Sequence, residues 1–592
     1  MLPARNLVKF LMNSKTPKFD SAINKILELV VPHTQECLWK GMHQYCEGNF
    51  EVTNEDIEFL KFFKVPPPKY CPTCRRIRRF VCVNTTRLFK RSCDAPGHSE
   101  QVISTFSEEC PFSVVDYKYY MSEEFNPFSY GVDYKPDESV LNQIFSLRKK
   151  VPIPSLLNRD PSSVNSEYSG GGRDSKNCYF TTGCFHSEDV WYSGLVNKSR
   201  EVMDCRAIRN SDTIYQVLNS EHLYKCAFIY FSKDCSDSML LFDCRNCDHC
   251  FGSVNLRNAR YVIFNEQKTK EEYEDFISKN TPLSYSALIE YQKKFWELVK
   301  SHPVNASRNS NNENVSGVLV ESSRNLFDVT DAHKAEHIRH ADGMLSHHDS
   351  MDVLFSGGSE QVYQVCNVGS YSSRVKFSAY SKFTTDSEFV FNSKNISNCF
   401  MCVGLESKSY CILNKQYTQE DYWPIVDQIK TDMLSRGEYG EFLDMKFSPQ
   451  AYNFSLAGTN FPLIEEIANN LGAYFGKEPE TNMDGMDTIK AEDLPDTIDL
   501  VDDSILQKGI ICEVTGRPFR IIATELAFYR KMKLPLPHAH PSIRMEAHHD
   551  LSPTGIQHEA KCASCGKDIK SIFNPKDNYI LYCESCFQKE VI

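Results

Sequence analysis

The sequence predicts a mainly β fold with α additions: a duplicated central β-solenoid flanked at its N- and C-terminal ends by small cysteine-anchored modules. Three observations carry this reading. Cys250–Tyr273 aligns without gaps to Cys399–Tyr422 with 11 of 24 positions identical, so the middle of the chain is doubled. Ser175, Ser187, Ser199 and Ser211 recur at one constant interval, which is the repeat expected of stacked coils. Phe50–Arg75 aligns without gaps to Phe519–Arg544, with Phe59/Phe528, Pro66/Pro535, Pro68/Pro537, Pro72/Pro541 and Arg75/Arg544 identical, so both ends carry one module.

In chain order, residues 1–36 read as an N-terminal helical segment and 37–150 as the first terminal module. Residues 151–268 are the first solenoid. The serine-headed strings SKNCYFTTGC, SEDVWYSGLV, SREVMDCRAI and SDTIYQVLN alternate apolar and polar residues before a turn-forming Asn, Ser or Lys. A β-sandwich with regular hairpins is the alternative. A helical segment, 269–305, follows, and Thr269 with Glu272 reads as its capping box. The polar stretch His302–Gly317 reads as a loop. The second solenoid occupies 306–417. A second helical segment, 418–475, begins at Thr418 with Asp421. Helices there cover solenoid ends that would otherwise expose strand edges. Residues 476–508 read as an acidic linker, and 509–592 as the second terminal module.

From Cys562 onward the chain reads CASC and, after a spacer spanning 566–582, CESC. Each CxxC turns two thiolates onto one point, and two of them complete a tetrahedron. Cys562, Cys565, Cys583 and Cys586 are therefore expected to hold a structural zinc. In the N-terminal module Cys71 and Cys74 form one knuckle, and HQYC supplies His43 and Cys46 as the other. The expected set is His43, Cys46, Cys71 and Cys74, with Cys37 competing for His43's place. At an offset of 469, His43 maps to Cys512, Cys46 to Thr515, Cys71 to His540 and Cys74 to Ile543, so the C-terminal copy of this site reads as decayed. Cys562 maps to Cys93 but Cys565 to Pro96, so the second N-terminal site also reads as decayed. Cys93, Cys110 and His98 are the residues that would rescue it. Two zinc ions per chain follow.

The other cysteines read as packing. Cys244, Cys247 and Cys250 invite a cluster, but their repeat counterparts are Ser393, Ile396 and Cys399. His333, His337, His340, His347 and His348, beside Asp331, Asp342, Asp349 and Asp352, read as a polar solenoid face; they are also the one candidate for a catalytic groove.

The chain carries 24 cysteines and a net charge of −12, with no apolar run long enough to span a membrane. A long chain rich in thiols and without an export signal reads as intracellular and reduced, hence cytoplasmic, or virion-borne if the source is viral. Charge is polarised along the sequence. Residues 61–91 hold ten Lys or Arg and no acid, while 478–503 hold ten acids. Arg75, Arg76, Arg78 and Arg79 directly follow the CPTC knuckle, and Arg87, Lys90 and Arg91 come next. Rigid guanidinium groups among Phe62, Phe63, Phe80 and Phe89 suit phosphate contact and base stacking, so RNA, DNA or a nucleoprotein is the expected partner. An acidic protein, or the acidic stretch of the same chain, is the alternative.

The strings FEVTNEDIEFLKFFKVPPPKYCPTCRRIRR, CRNCDHCFGSVNLRNARYVIFN, GEYGEFLDMKFSPQAYNFSLAGTNFPL and CEVTGRPFRIIATELAFYRKMKLPLP resemble uncharacterised proteins of candidate-phyla bacteria and giant viruses. The resemblance extends from about Cys37 onward and implies treble-clef or zinc-ribbon modules beside a β-solenoid, with no established activity. His43 departs from that pattern, where Cys is usual. Some relatives carry a CoA-transferase label, which no residue here supports. The expectation is a non-enzymatic, zinc-binding scaffold; a protein-binding or virion assembly protein and a groove enzyme are the alternatives.

Overall fold

The computed structural model describes residues 14–84, 87–156, 162–478, 485–552 and 555–592. Two eleven-stranded sheets dominate it, built from parallel ladders that join each coil to the next. The pairing register equals the serine interval: Gly194 pairs with both Thr182 and Arg206, and Arg200 with both Glu188 and Asp212.

The backbone beneath that register has a period of three. From Gly171 to Phe264 every third residue has φ between +44 and +67°. Two extended residues followed by one left-handed corner make one side, and four sides close one coil. Left-handed backbone disfavours branched side chains. Thr213 is the only β-branched residue among the described positive-φ positions. The residue two before each corner points inward. Cys178, Cys184, Val190, Val196, Val202, Cys205, Ile208 and their successors, all a multiple of three apart, form one buried column.

That column is narrow, which selects small side chains. Inward serines also tie coils together. Ser187 Oγ donates to the Phe185 carbonyl at 2.8 Å and accepts the Ser199 N–H at 3.1 Å. Cysteine makes the same pair of bonds: Cys205 Sγ donates to the Met203 carbonyl at 3.1 Å and accepts the Val217 N–H at 3.3 Å. Cys244, Cys247 and Cys250 occupy three successive inward positions and donate to the carbonyls of Phe242, Arg245 and Asp248. Thiols therefore replace hydroxyls here as packing and hydrogen-bonding groups.

Each solenoid ends on an asparagine at an equivalent place in the repeat. Asn265 Oδ1 accepts the Val254 N–H at 2.8 Å, and Asn414 Oδ1 accepts the Val403 N–H at 2.8 Å. The two amides take the part of the next coil's backbone, and short antiparallel turns, Val262↔Gln267 and Cys411↔Gln416, close the edges. Helices Lys270–Lys279 and Gln419–Ser435 follow. Thr269 with Glu272 forms a full capping box, and Thr418 Oγ1 accepts the Asp421 N–H. Both helices pack on the last coils, through Phe251–Phe276 and Tyr410–Tyr422.

Two expectations fail. His302–Gly317 is not a loop: Pro303–Asn305 pairs with Ile580–Tyr582, and the first coil of the second solenoid begins within the segment. Its polarity comes from Asn311 and Asn314 at left-handed corners, and from Asn309 and Asn312, whose amide oxygens accept the N–H groups of Val320 and Ser323. Residues 485–508 are not a linker either. Thr488–Lys490 pairs with Gly509–Ile511, and Leu494, Ile498, Val501 and Ile505 are buried in the C-terminal core. The acids alternate with these apolar anchors, so only one face is solvated. Residues 479–484 lie outside the described residues. Among the described residues, no helix is long and apolar enough to cross a membrane.

Candidate metal centres

One local construction recurs four times. A cysteine N–H bonds back across a loop, the next residue's N–H reaches the segment just before a helix, and that helix's cap residue donates its N–H to the cysteine sulfur. In the last copy these bonds are Cys562 to Lys567, Ala563 to Leu581 and Cys583 N–H to Cys562 Sγ at 3.3 Å. The first copy has Cys37 to Gly48, Leu38 to Lys69 and Cys71 N–H to Cys37 Sγ at 3.3 Å. The other two begin at Cys93, ending on Asp116, and at Cys512, ending on His540. Each terminal module therefore contains two such units.

In the last unit the sulfurs of Cys562, Cys565, Cys583 and Cys586 all lie within 4.8 Å of one another. Cys565 Sγ and Cys583 Sγ are 3.9 Å apart. A tetrahedron with metal–sulfur bonds of about 2.3 Å has edges of about 3.8 Å, so this set fits zinc. Burial acts to raise the Cys562 thiol, but N–H donors from Cys583, Cys565 and Ser564 prevail and lower it to about 6. The thiolate is thus favoured before any cation arrives.

In the first unit the gathered set is Cys37, Cys46, Cys71 and Cys74. Hydrogen bonds from Cys71 and Cys74 are the largest effect on Cys37 and hold its thiol far below the ordinary range. His43 is therefore not one of the four. Its ring is buried, its Nδ1 accepts the Tyr45 N–H at 3.3 Å, and its Nε2 lies 3.3 Å from Cys74 Sγ. With Nδ1 occupied as an acceptor, Nε2 carries the proton and donates to sulfur. His43 thus hydrogen-bonds the Cys74 sulfur from outside the gathered set. The correction has a simple source. The loop from Cys37 to Gly48 is longer than its counterpart from Cys512 to Arg517, so the ungapped alignment that pairs His43 with Cys512 breaks down upstream of Phe50. In space Cys37 is the partner of Cys512.

The arginines after this knuckle do not form an exposed platform. On helix Pro72–Phe80, Arg75 Nε meets Asp352 Oδ2 at 2.7 Å, Arg76 Nε meets Asp342 Oδ2 at 3.0 Å, and Arg79 Nη1 meets Asp352 Oδ1 at 3.2 Å. Arg78 bonds the Phe442 carbonyl, pairs with Glu441 at 3.2 Å, and stacks 4.1 Å from the Tyr70 ring. None of the four side chains is more than 9% exposed. Arg87 pairs with Glu546 and Glu478, and Arg91 with Asp94; Lys90 is exposed. Phe63, Phe80 and Phe89 are buried in cores, and of the four phenylalanines only Phe62 is exposed. The basic run therefore docks within the chain, chiefly onto the second solenoid, and meets the acidic stretch through Arg87 and Glu478.

The C-terminal module repeats this lock on the first solenoid. Arg544, on helix Pro541–Leu551, pairs with Asp204, accompanied by Glu525 at 3.4 Å and the Tyr529 hydroxyl at 2.8 Å. Asp204 and Asp352 are both left-handed corner residues. The attachment of the two arginine helices is crossed: Pro72–Phe80 sits on the second solenoid and Pro541–Leu551 on the first, while the last unit also reaches the second solenoid through Lys570 and Asp328 at 2.9 Å.

The histidine cluster disperses. His333 pairs with Glu321, His337 with Asp349, His340 with Asp328 and His348 with Glu336, each across one coil. His347 points into the buried interior, where burial lowers it to about 4. These are ladder contacts between stacked coils. No protein-family model matches the chain, and no curated protein matches it.

Proposed function

We propose that this chain is a non-enzymatic scaffold in which two structural zinc ions, one per terminal module, hold the clasps of a doubled β-solenoid. The observation that carries the reading is the pair of four-sulfur groups, each mutually within 4.8 Å. Four protein sulfurs complete the preferred coordination and leave no position for a reacting water, which is the signature of a structural site. Cys37, Cys46, Cys71 and Cys74 hold one ion, and Cys562, Cys565, Cys583 and Cys586 the other. The resemblance to zinc modules beside β-solenoids agrees with this reading.

The partner is a protein surface in preference to nucleic acid. Arg75, Arg76, Arg78 and Arg79 spend their charge on Asp342, Asp352, Glu441 and Asp444, so the feature that suggested phosphate contact is used internally. Metal analysis of the purified full chain tests the first statement. Two tightly held zinc ions are expected, with one lost in Cys565→Ser and the other in Cys46→Ser. Absence of bound metal, or two ions surviving both substitutions, defeats it. Copurifying nucleic acid that salt releases would restore the nucleic-acid reading.

A further inference from the structure

We infer a third metal site, of mixed donors, in the N-terminal unit that begins at Cys93. Cys93 Sγ, a nitrogen of His98 and a carboxylate oxygen of Glu100 lie within 4.8 Å of one another. This unit is the internal counterpart of the one that holds the C-terminal cysteines. Cys93 N–H bonds the Glu100 carbonyl at 3.1 Å where Cys562 bonds Lys567 at 2.8 Å. Asp94 N–H bonds Val114 where Ala563 bonds Leu581, and Asp116 N–H reaches Cys93 Sγ at 3.2 Å where Cys583 reaches Cys562. The flanking hairpins, Phe89↔Ser104 to Ser92↔Gln101 and His558↔Ser571 to Lys561↔Asp568, also correspond.

The substitutions within this shared geometry keep metal chemistry. The loop from Cys93 to Glu100 is longer than the one from Cys562 to Lys567. It lacks the second cysteine but delivers His98, whose Nδ1 is 2.7 Å from Glu100 Oε1. Asp116 occupies the helix-cap place of Cys583, with one carboxylate oxygen already accepting the Lys118 N–H at 3.1 Å. Sulfur, imidazole and carboxylate are all accepted zinc donors. The remaining unit supplies a contrast. At Cys512 the corresponding residues are Thr515, His540 and Ile543; His540 Nδ1 is engaged by Ser542, and no donor group is gathered there among the described residues. Four units of one design thus grade from four sulfurs, twice, through one sulfur with nitrogen and oxygen, to none.

Three protein donors leave a position open to water or to Asp116, so this site binds a zinc-type divalent cation more weakly than the four-sulfur sites. Equilibrium dialysis of the zinc-loaded full chain against free zinc tests it, with His98→Ala as the main variant because His98 is only partly buried. Wild type is expected to bind one equivalent more than His98→Ala, and to lose it on dialysis against metal-free buffer. Cobalt(II) added to the zinc-loaded chain is expected to give sulfur-to-metal absorption that disappears in His98→Ala and in Cys93→Ser. Equal stoichiometry in wild type and His98→Ala, or cobalt absorption unchanged by the substitution, overturns the inference. The readout is a difference of one equivalent, so it stands or falls separately from the two four-sulfur sites.

Discussion

The two terminal modules solve one docking problem with opposite charge balances. On the N-terminal side three guanidinium groups, from Arg75, Arg76 and Arg79, meet two aspartates, Asp342 and Asp352. On the C-terminal side one guanidinium, from Arg544, meets two carboxylates, Asp204 and Glu525. Burial works against every charge in both places, and at Asp342 it prevails over Arg76 and Arg79 and raises the carboxyl. Burial acts to raise Asp352, but Arg75 and Arg79 overcome it and hold the carboxyl below the ordinary range. At Asp204 burial, reinforced by Glu525, outweighs Arg544 and raises the carboxyl to about 7. Equivalent backbone positions thus carry aspartates with opposite responses to pH. The metal sites differ in the same spirit. Cys37, Cys71 and Cys74 are buried beneath the module, whereas Cys565 is exposed and Cys583 and Cys586 are half-buried.

The largest expected effect comes from stripping metal. A structural zinc contributes on the order of 10 kcal/mol to a small unit. Chelation should unfold the C-terminal hairpin and its helix first, because its sulfurs are the more accessible, and the N-terminal module later. Amide hydrogen exchange resolved by region reads the order, and earlier loss of protection in the N-terminal module would contradict it. Next comes the lock itself. Arg544→Ala should cost about 3–5 kcal/mol, since it leaves Asp204 and Glu525 without a cation, and Arg75→Ala should cost less, because Arg79 stays 3.2 Å from Asp352. Asp204→Asn should cost less than Asp352→Asn, because Glu525 remains for Arg544 while three guanidinium groups would be left with Asp342 alone; denaturant unfolding ranks them.

The pH response is smaller and has opposite sign at the two corner aspartates, Asp204 and Asp352. Asp204 is raised in the folded state, so its contribution is full below the ordinary carboxylate range and is lost as pH rises through about 7. Asp352 is lowered, so its contribution is present above that range and is lost as pH falls through its depressed value. Limited proteolysis around 541–551 should increase from pH 5 to pH 8 in wild type and stay level in Asp204→Asn. A level profile in both would remove the contrast. Inside the solenoid, Cys205→Ser should change stability by about 1 kcal/mol or less, because serine makes the same two bonds elsewhere in the column. Cys205→Phe should be severely disruptive, since no coil has room for it. The least effect belongs to the outer ladder: Lys176→Ala, which breaks an exposed pair with Glu188, should cost under about 1 kcal/mol.

Much of this architecture was readable from residue order. The regular serine ladder, the doubling and the C-terminal cysteines all belong to short, regular strings. The three-residue period was hidden because Phe, Tyr and Leu stand at corners such as Phe228, Phe231 and Leu240, where modules and helices cover them. Those apolar corners imitate strand alternation. Cys37 was obscured by a longer loop that shifts its position against the second copy. The burial of the arginines was beyond sequence reading, because the partners of Arg75 and Arg76 lie 277 and 266 positions away. A run of ten cations looks the same on paper whether it faces solvent or a wall of aspartates.

The inward column of every third residue behaves like a triplet reading frame written in side chains. Adding or removing one whole coil changes the length of the stack and leaves the phase intact. Removing a single residue rotates every following inward serine, cysteine or valine onto a corner, until another change restores the count. The second solenoid carries two such changes. Glu313 pairs with Arg324, one position short of the repeat, and Gly317 sits at the join, where a Cβ would collide with the Val329 carbonyl oxygen. Glu360 pairs with Ser373, one position beyond the repeat, and Ser370 and Tyr371 form a double corner that absorbs the extra residue. One short coil and one long coil bring the second solenoid back into phase, so its tolerance to insertion and deletion is concentrated at those two joints.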